Sequence, residues 1–196
     1  MSYVLLIVLV VALFYGPQYW VGYVLRRHSR ELPGMPGTGG ELARHLIQRF
    51  ELEGVTLEQT ELGDHYDPEA QTVRLSAAVY TGKSLTAVAT AAHEVGHAIA
   101  FYRKEPVTRL RSRYLARALR WQRFGATVMM GLPVLAAIFK IPHVVIIAGL
   151  IGVATMLISV FMYAAILPEE WDASFNKALP ILSEGDYLPE QYRPAA

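Results

Sequence analysis

The sequence predicts an α-helical membrane protein with about three transmembrane helices and a small α+β domain between the first and the second. Three observations predict it. The chain of 196 residues is 53% hydrophobic and 18% charged, with a mean hydropathy of +0.28, which exceeds what one soluble core of this length requires. The excess is concentrated in three uncharged stretches, 3–25, 124–139 and 143–167. The polar region 26–123 between them alternates helical and strand periodicities and carries two histidines four apart on a helical pattern.

The first stretch, Tyr3 to Leu25, is long enough for a helix to cross about 30 Å of hydrocarbon. A signal peptide is the rival reading. No basic region precedes the apolar run, and Pro17, Gln18 and Tyr19 leave no small-residue cleavage site. Tyr15, Tyr19, Trp20 and Tyr23 gather at its far end as interfacial aromatics do, and Arg26 and Arg27 follow at once. Residues 1–25 are therefore expected to form one transmembrane helix.

Within 26–123, a Pro/Gly-rich connector runs from Leu32 to Gly40. Thr38 and Glu41 have capping-box spacing, and Leu42, Leu46 and Phe50 recur every four residues, predicting an amphipathic helix from about Gly40 to Phe50. Val55 and Leu57, then Val73 and Leu75, alternate with polar residues as strands do, with Gly63 and Asp67-Pro68 marking turns. Arg109, Arg113, Arg117 and Arg120 fall on one helical stripe just before the second apolar stretch. That placement predicts an interfacial helix meeting anionic lipid rather than nucleic acid, and the net charge of +1 gives no global reason for nucleic-acid binding.

The second and third apolar stretches, separated by Lys140-Ile141-Pro142, predict a transmembrane hairpin over 124–167, with Pro133 tilting, kinking or interrupting its first arm. Residues 168–196 form a C-terminal helix and tail. Of the 18 lysines and arginines, 15 lie between Arg26 and Arg123, Lys177 and Arg193 follow the hairpin, and Lys140 alone lies in its turn. The positive-inside rule then predicts a multi-pass protein of the cell membrane, with the N-terminus outside and the polar region cytoplasmic.

Ser84 can cap a helix running through Leu85 to Ala92 into His93-Glu94-Val95-Gly96-His97. Histidines four apart project from one helix face, so both imidazoles can reach one Zn2+ ion, with Glu94 beside them as the base for an activated water. A chance occurrence in a chain with 6 histidines is expected roughly once in a hundred shuffles, so the motif is suggestive alone. The small residues Ala89, Ala91, Ala92, Gly96 and Ala98 around it allow close packing on the metal helix. With no cysteine, a transition metal here must be held by His, Asp or Glu.

Four stretches carry a family resemblance: Asp64-His65-Tyr66-Asp67-Pro68; Val73-Arg74-Leu75-Ser76; Ala91-Ala92-His93-Glu94-Val95-Gly96-His97-Ala98; and Leu167-Pro168 with Glu170-Trp171-Asp172-Ala173-Ser174. On these the chain resembles the YugP-type family of bacterial membrane zinc metallopeptidases, over most of its length from about Gly37 to Ser183. The resemblance implies a zincin-like metallopeptidase domain broadly akin to the HtpX type, with a glutamate third ligand after a transmembrane hairpin. Ala100, Phe101 and Phe175-Asn176 depart from the expected pattern. By the same resemblance Thr72 to Ser76 looks like an edge strand along which an extended substrate adds, through Val73, Arg74 and Leu75, an ordinary sheet strand being the equal alternative. His65, Tyr66 and Tyr80 are candidate oxyanion donors, with a structural role as the alternative for each.

Two membrane crossings after Phe124 bring residue 170 back to the side that holds the histidines, and Pro168 suits the first turn of a new helix. Glu170 is the expected third zinc ligand, as the resemblance also implies. Glu169 and Asp172 are its rivals, or partners that orient a ligand histidine. The expected function is a zinc metalloendopeptidase hydrolysing protein or peptide substrates at the cytoplasmic membrane face. A non-proteolytic zinc-binding membrane scaffold or regulator is the alternative. A transporter is disfavoured because no span carries a charge in its middle.

Overall fold

The computed structural model describes residues 16–139, 142–189 and 192. The chain divides into two compact units, one made of the residues up to Ile99 together with those from Ala173 on, the other of Ala100–Asp172. Most of the first predicted span, residues 3–15, lies outside the described residues, as do Lys140 and Ile141, where the sequence predicts the turn of a hairpin.

In the first unit, residues 16–27 are helical (α1). The connector then leads into α2, Gly39–Arg49, which starts where its capping box places it: the Glu41 backbone N–H donates to Thr38 Oγ1 at 3.1 Å, and the Thr38 N–H to Glu41 Oε2 at 2.7 Å. Leu42, Ala43 and Leu46 form its buried face. Two glycines open this helix because other backbone lies against it. A Cβ on Gly39 would stand 2.4 Å from the Val79 carbonyl oxygen and 2.7 Å from that of Ala87.

A three-stranded sheet follows, with β1 at Thr56–Gln59, β2 at His65–Asp67 and β3 at Thr72–Leu75, in the order β1-β3-β2. β1 pairs parallel with β3, Thr56 opposite Thr72, and β2 pairs antiparallel with it, Tyr66 opposite Val73. This corrects one expectation. β3 is the central strand, paired with β1 along Thr72–Leu75 and with β2 over residues 72–74, so it is not a free edge along which an extended substrate would add. The edges are β1 and β2. Val73 and Leu75 are fully buried, and Arg74 pairs with Asp67 and, at 3.4 Å, with Glu58.

Helices α3, Ala77–Tyr80, and α4, Leu85–Tyr102, come next. Ser84 caps α4 as expected, its hydroxyl accepting from the Ala87 N–H at 3.1 Å. The unit closes with a π-helical segment, Asp172–Ala178, whose first residue belongs to the other unit, and α8, Leu179–Glu184.

The second unit is dominated by α5, Thr108–Phe139, and α6, Pro142–Ala164, which pack along each other, followed by α7, Leu167–Trp171. The arginine stripe and the second apolar stretch are one uninterrupted helix, with Pro133 inside it. Small residues make the seam. A Cβ on Gly125 would lie 2.6 Å from Thr155 Oγ1, and one on Gly152 2.8 Å from Met129 Sδ. Gly152, Thr155 and Ser159 are buried, whereas Met130, Ile138, Leu150 and Phe161 face outward. Such an inside-out pair, small residues within and large apolar ones without, is how helices associate in lipid. Among the described residues, one helical run, beginning at Pro142, is long and apolar enough to cross a membrane.

Candidate metal centre

Ala91, Ala92, Val95 and Ala98 are wholly buried along α4 and fix which way it is turned. That rotation sets His93 at the edge of the core and buries His97, 2% exposed, and Glu94, 7% exposed. The two Nε2 atoms approach to 3.1 Å, with the rings perpendicular and their centroids 4.7 Å apart. Imidazole Nε2 atoms at this separation are close enough for both to reach one Zn2+ ion.

Gly96 has a structural cause. A Cβ there would meet the Ala173 carbonyl oxygen at 2.9 Å and the Cβ of Lys177 at 3.4 Å, so its absence lets the π-helical segment lie directly on α4. Ala173, itself 1% exposed, is the small residue on the other side of that contact. The close approach sets Ser174 Oγ 3.0 Å from His93 Nδ1. With Nδ1–H donating to that hydroxyl, Nε2 keeps its lone pair for a metal, the arrangement by which outer partners orient ligand histidines. The donor chemistry therefore fits zinc.

Glu170 lies on α7 in the second unit. Its Oε1 accepts from Arg111 Nη1 at 3.0 Å, and the same nitrogen stands 3.6 Å from Glu169 Oε1. The Glu169 side chain is 1% exposed and that of Glu170 41%.

The other predicted residues occupy the sheet and the helix after it. His65 Nδ1–H donates to the Gly63 carbonyl at 2.8 Å, and Tyr80 accepts from Arg44 at 3.0 Å. Tyr66 is buried on β2. Burial, and then the nearby Asp67 charge, push its phenol above the usual range, so it stays a neutral O–H donor at neutral pH. Asp67 is held below the usual carboxyl range, first by the Ala70 backbone N–H and then by Arg74. The contact missed from sequence is that of Ser174 on His93. Its neighbour Ala173 is legible as a small residue suited to close packing, but the partner of Nδ1 lies 81 positions from His93.

The class of the protein follows from its sequence: the profile of the family described as "Putative neutral zinc metallopeptidase" matches residues 3–196, and the chain belongs to that family. It is similar to the "Putative membrane protease YugP" of Bacillus subtilis (strain 168), 32% identical over 189 residues, covering 94% of this chain and 80% of that protein. No solved structure matches.

Proposed function

We propose that the protein is a zinc-dependent endopeptidase of the membrane, with His93, His97 and Glu170 as ligands and Glu94 as the general base. The observation that carries this reading is the 3.1 Å convergence of the two Nε2 atoms on a helix that also holds Glu94. Two imidazoles and a carboxylate, assigned to Glu170 on the family resemblance, are a donor set suited to zinc, and three protein ligands leave the fourth position that catalysis needs. A Zn2+ ion held by these residues would supply Lewis-acid polarisation of the scissile carbonyl and would lower the pKa of a bound water so that hydroxide is accessible near neutral pH.

The chain's own residues do the rest. Glu94 accepts a proton from the attacking water and delivers it to the departing amine nitrogen, a transfer a buried carboxylate performs without competition from bulk solvent. Ser174 holds the His93 ring, and the tight contact at Gly96 keeps Ser174 in place. Three membrane crossings, with the polar region on the cytoplasmic side, fit the apolar stretches and the seventeen-to-one split of basic residues.

The test is metal analysis of the purified full chain together with cleavage of casein or a membrane-derived peptide. About one zinc per chain, and cleavage abolished by a chelator and restored by zinc, are expected. Stoichiometric zinc with no cleavage of any substrate would turn the reading to the non-proteolytic scaffold. Absence of zinc removes both.

A further inference from the structure

We propose that a cleft beside His93, within the first unit, is the pocket that selects one large apolar side chain of the substrate next to the scissile bond; this rests on the peptidase reading. The cleft holds about 310 Å³. One wall is a turn of α4, where Ala89, Thr90 and His93 share a face. The other is the π-helical segment and α8. Ala178 and Leu182, 6% and 2% exposed, make its floor, and Phe175 and Leu179, 51% and 38% exposed, make its rim.

Two features define the occupant. The lining holds no charged side chain, and its polar groups are the Thr90 and Ser174 hydroxyls and the His93 ring itself. An ammonium or carboxylate entering it would find no counter-charge, whereas an aliphatic or aromatic side chain would bury its surface against alanine, leucine and phenylalanine. The volume lies at the small end of ligand clefts, about 300–1,000 Å³. That is room for one leucine- or phenylalanine-sized group. Because the proposed ligand His93 forms part of the wall, a side chain filling the cleft would lie within one residue's reach of the proposed metal position, close enough to flank the scissile bond.

The experiment uses the full-length, zinc-loaded protein in detergent and a pair of peptide hydroxamates differing only in a leucine or an alanine at the position flanking the zinc-binding group. Cleavage sites in a mixed peptide library are read by mass spectrometry in parallel. Leucine should be preferred over alanine by about tenfold or more, in binding and in cleavage, the discrimination that added methylenes give in an apolar pocket. Ala89→Phe, which fills the cleft from α4, should bring the binding ratio close to one and move cleavage to small residues. Leu179→Ala, at the exposed rim, should lower the ratio even if Ala89→Phe fails to fold. Unchanged ratios in these variants, or no leucine preference in the parent, overturn the pocket. Cleavage without side-chain preference removes the pocket and keeps the peptidase. Hydroxamate discrimination without cleavage keeps the pocket and removes the peptidase.

Discussion

Glu94 and His97 are neighbours on one helix with opposite expected responses to substitution. Glu94→Gln leaves both imidazoles in place, so zinc content should stay near one per chain while cleavage falls at least a hundredfold, since an amide cannot accept the proton. His97→Ala should lose the metal, as measured by atomic emission on the purified protein. Glu170→Ala should also empty the site, whereas Glu169→Gln, chosen because that side chain is buried beside Arg111, should keep zinc. The reverse result would exchange the two glutamates. Ser174→Ala removes the hydroxyl at His93 Nδ1 and should weaken zinc affinity by about 10- to 100-fold without removing any ligand. The pair of histidines is legible in the sequence because one helical turn connects them. Ser174 is not, because its contact depends on how closely a distant segment approaches α4.

That approach belongs to the scale of elements. Gly96 meets the Ala173 carbonyl so closely that Gly96→Val must displace the π-helical segment or unwind part of α4. A loss of about 1–3 kcal/mol is expected, typical of overpacking, seen as a lower Tm together with weaker zinc binding. The small residues around the motif announce close packing, yet the segment that fills the space cannot be read from them. A four-residue helical register also fails beyond Asp172, where the bonding pattern becomes π. The sheet shows the same division. β1 and β3 are visible in their alternation, but β2 contributes a single buried apolar residue, Tyr66, and strand order depends on pairing between distant segments. Hence the family resemblance suggests β3 as an edge, with an ordinary sheet strand the equal alternative, and in the fold it is central. Asp67, whose carboxyl is lowered by the Ala70 N–H and Arg74, ties β2 to β3. A depressed folded pKa contributes stability that is present above the unfolded value, about 3.9, and lost as pH falls through the folded one. Asp67→Asn should therefore be less stable than the parent at pH 7, and chemical denaturation should show the gap closing below about pH 4.

At the scale of the whole molecule, composition carries most of what the sequence tells: an apolar excess, gathered in stretches and flanked by basic residues on one side. The packing of α5 on α6 through Gly125, Gly152 and Thr155 adds what composition cannot, that the large apolar side chains of this pair face away from each other. In water such a surface would aggregate; in hydrocarbon it is the ordinary outside of a helix pair. The orientation of the proposed spans is predicted from the charges, and the absence of cysteine makes it measurable by single substitutions. Leu62, 87% exposed in the turn between β1 and β2, is a suitable reporter for the polar region. Ser84 is not, being buried as the cap of α4. In intact cells Leu62→Cys should resist a membrane-impermeant thiol reagent and react once the cells are opened, whereas Lys140→Cys should react without opening. That outcome puts the polar region carrying His93 and Glu94 with the 17 basic residues in the cytoplasm. Labelling of Leu62→Cys and protection of Lys140→Cys would instead turn the protein over, so that its substrates would be sought outside the cell.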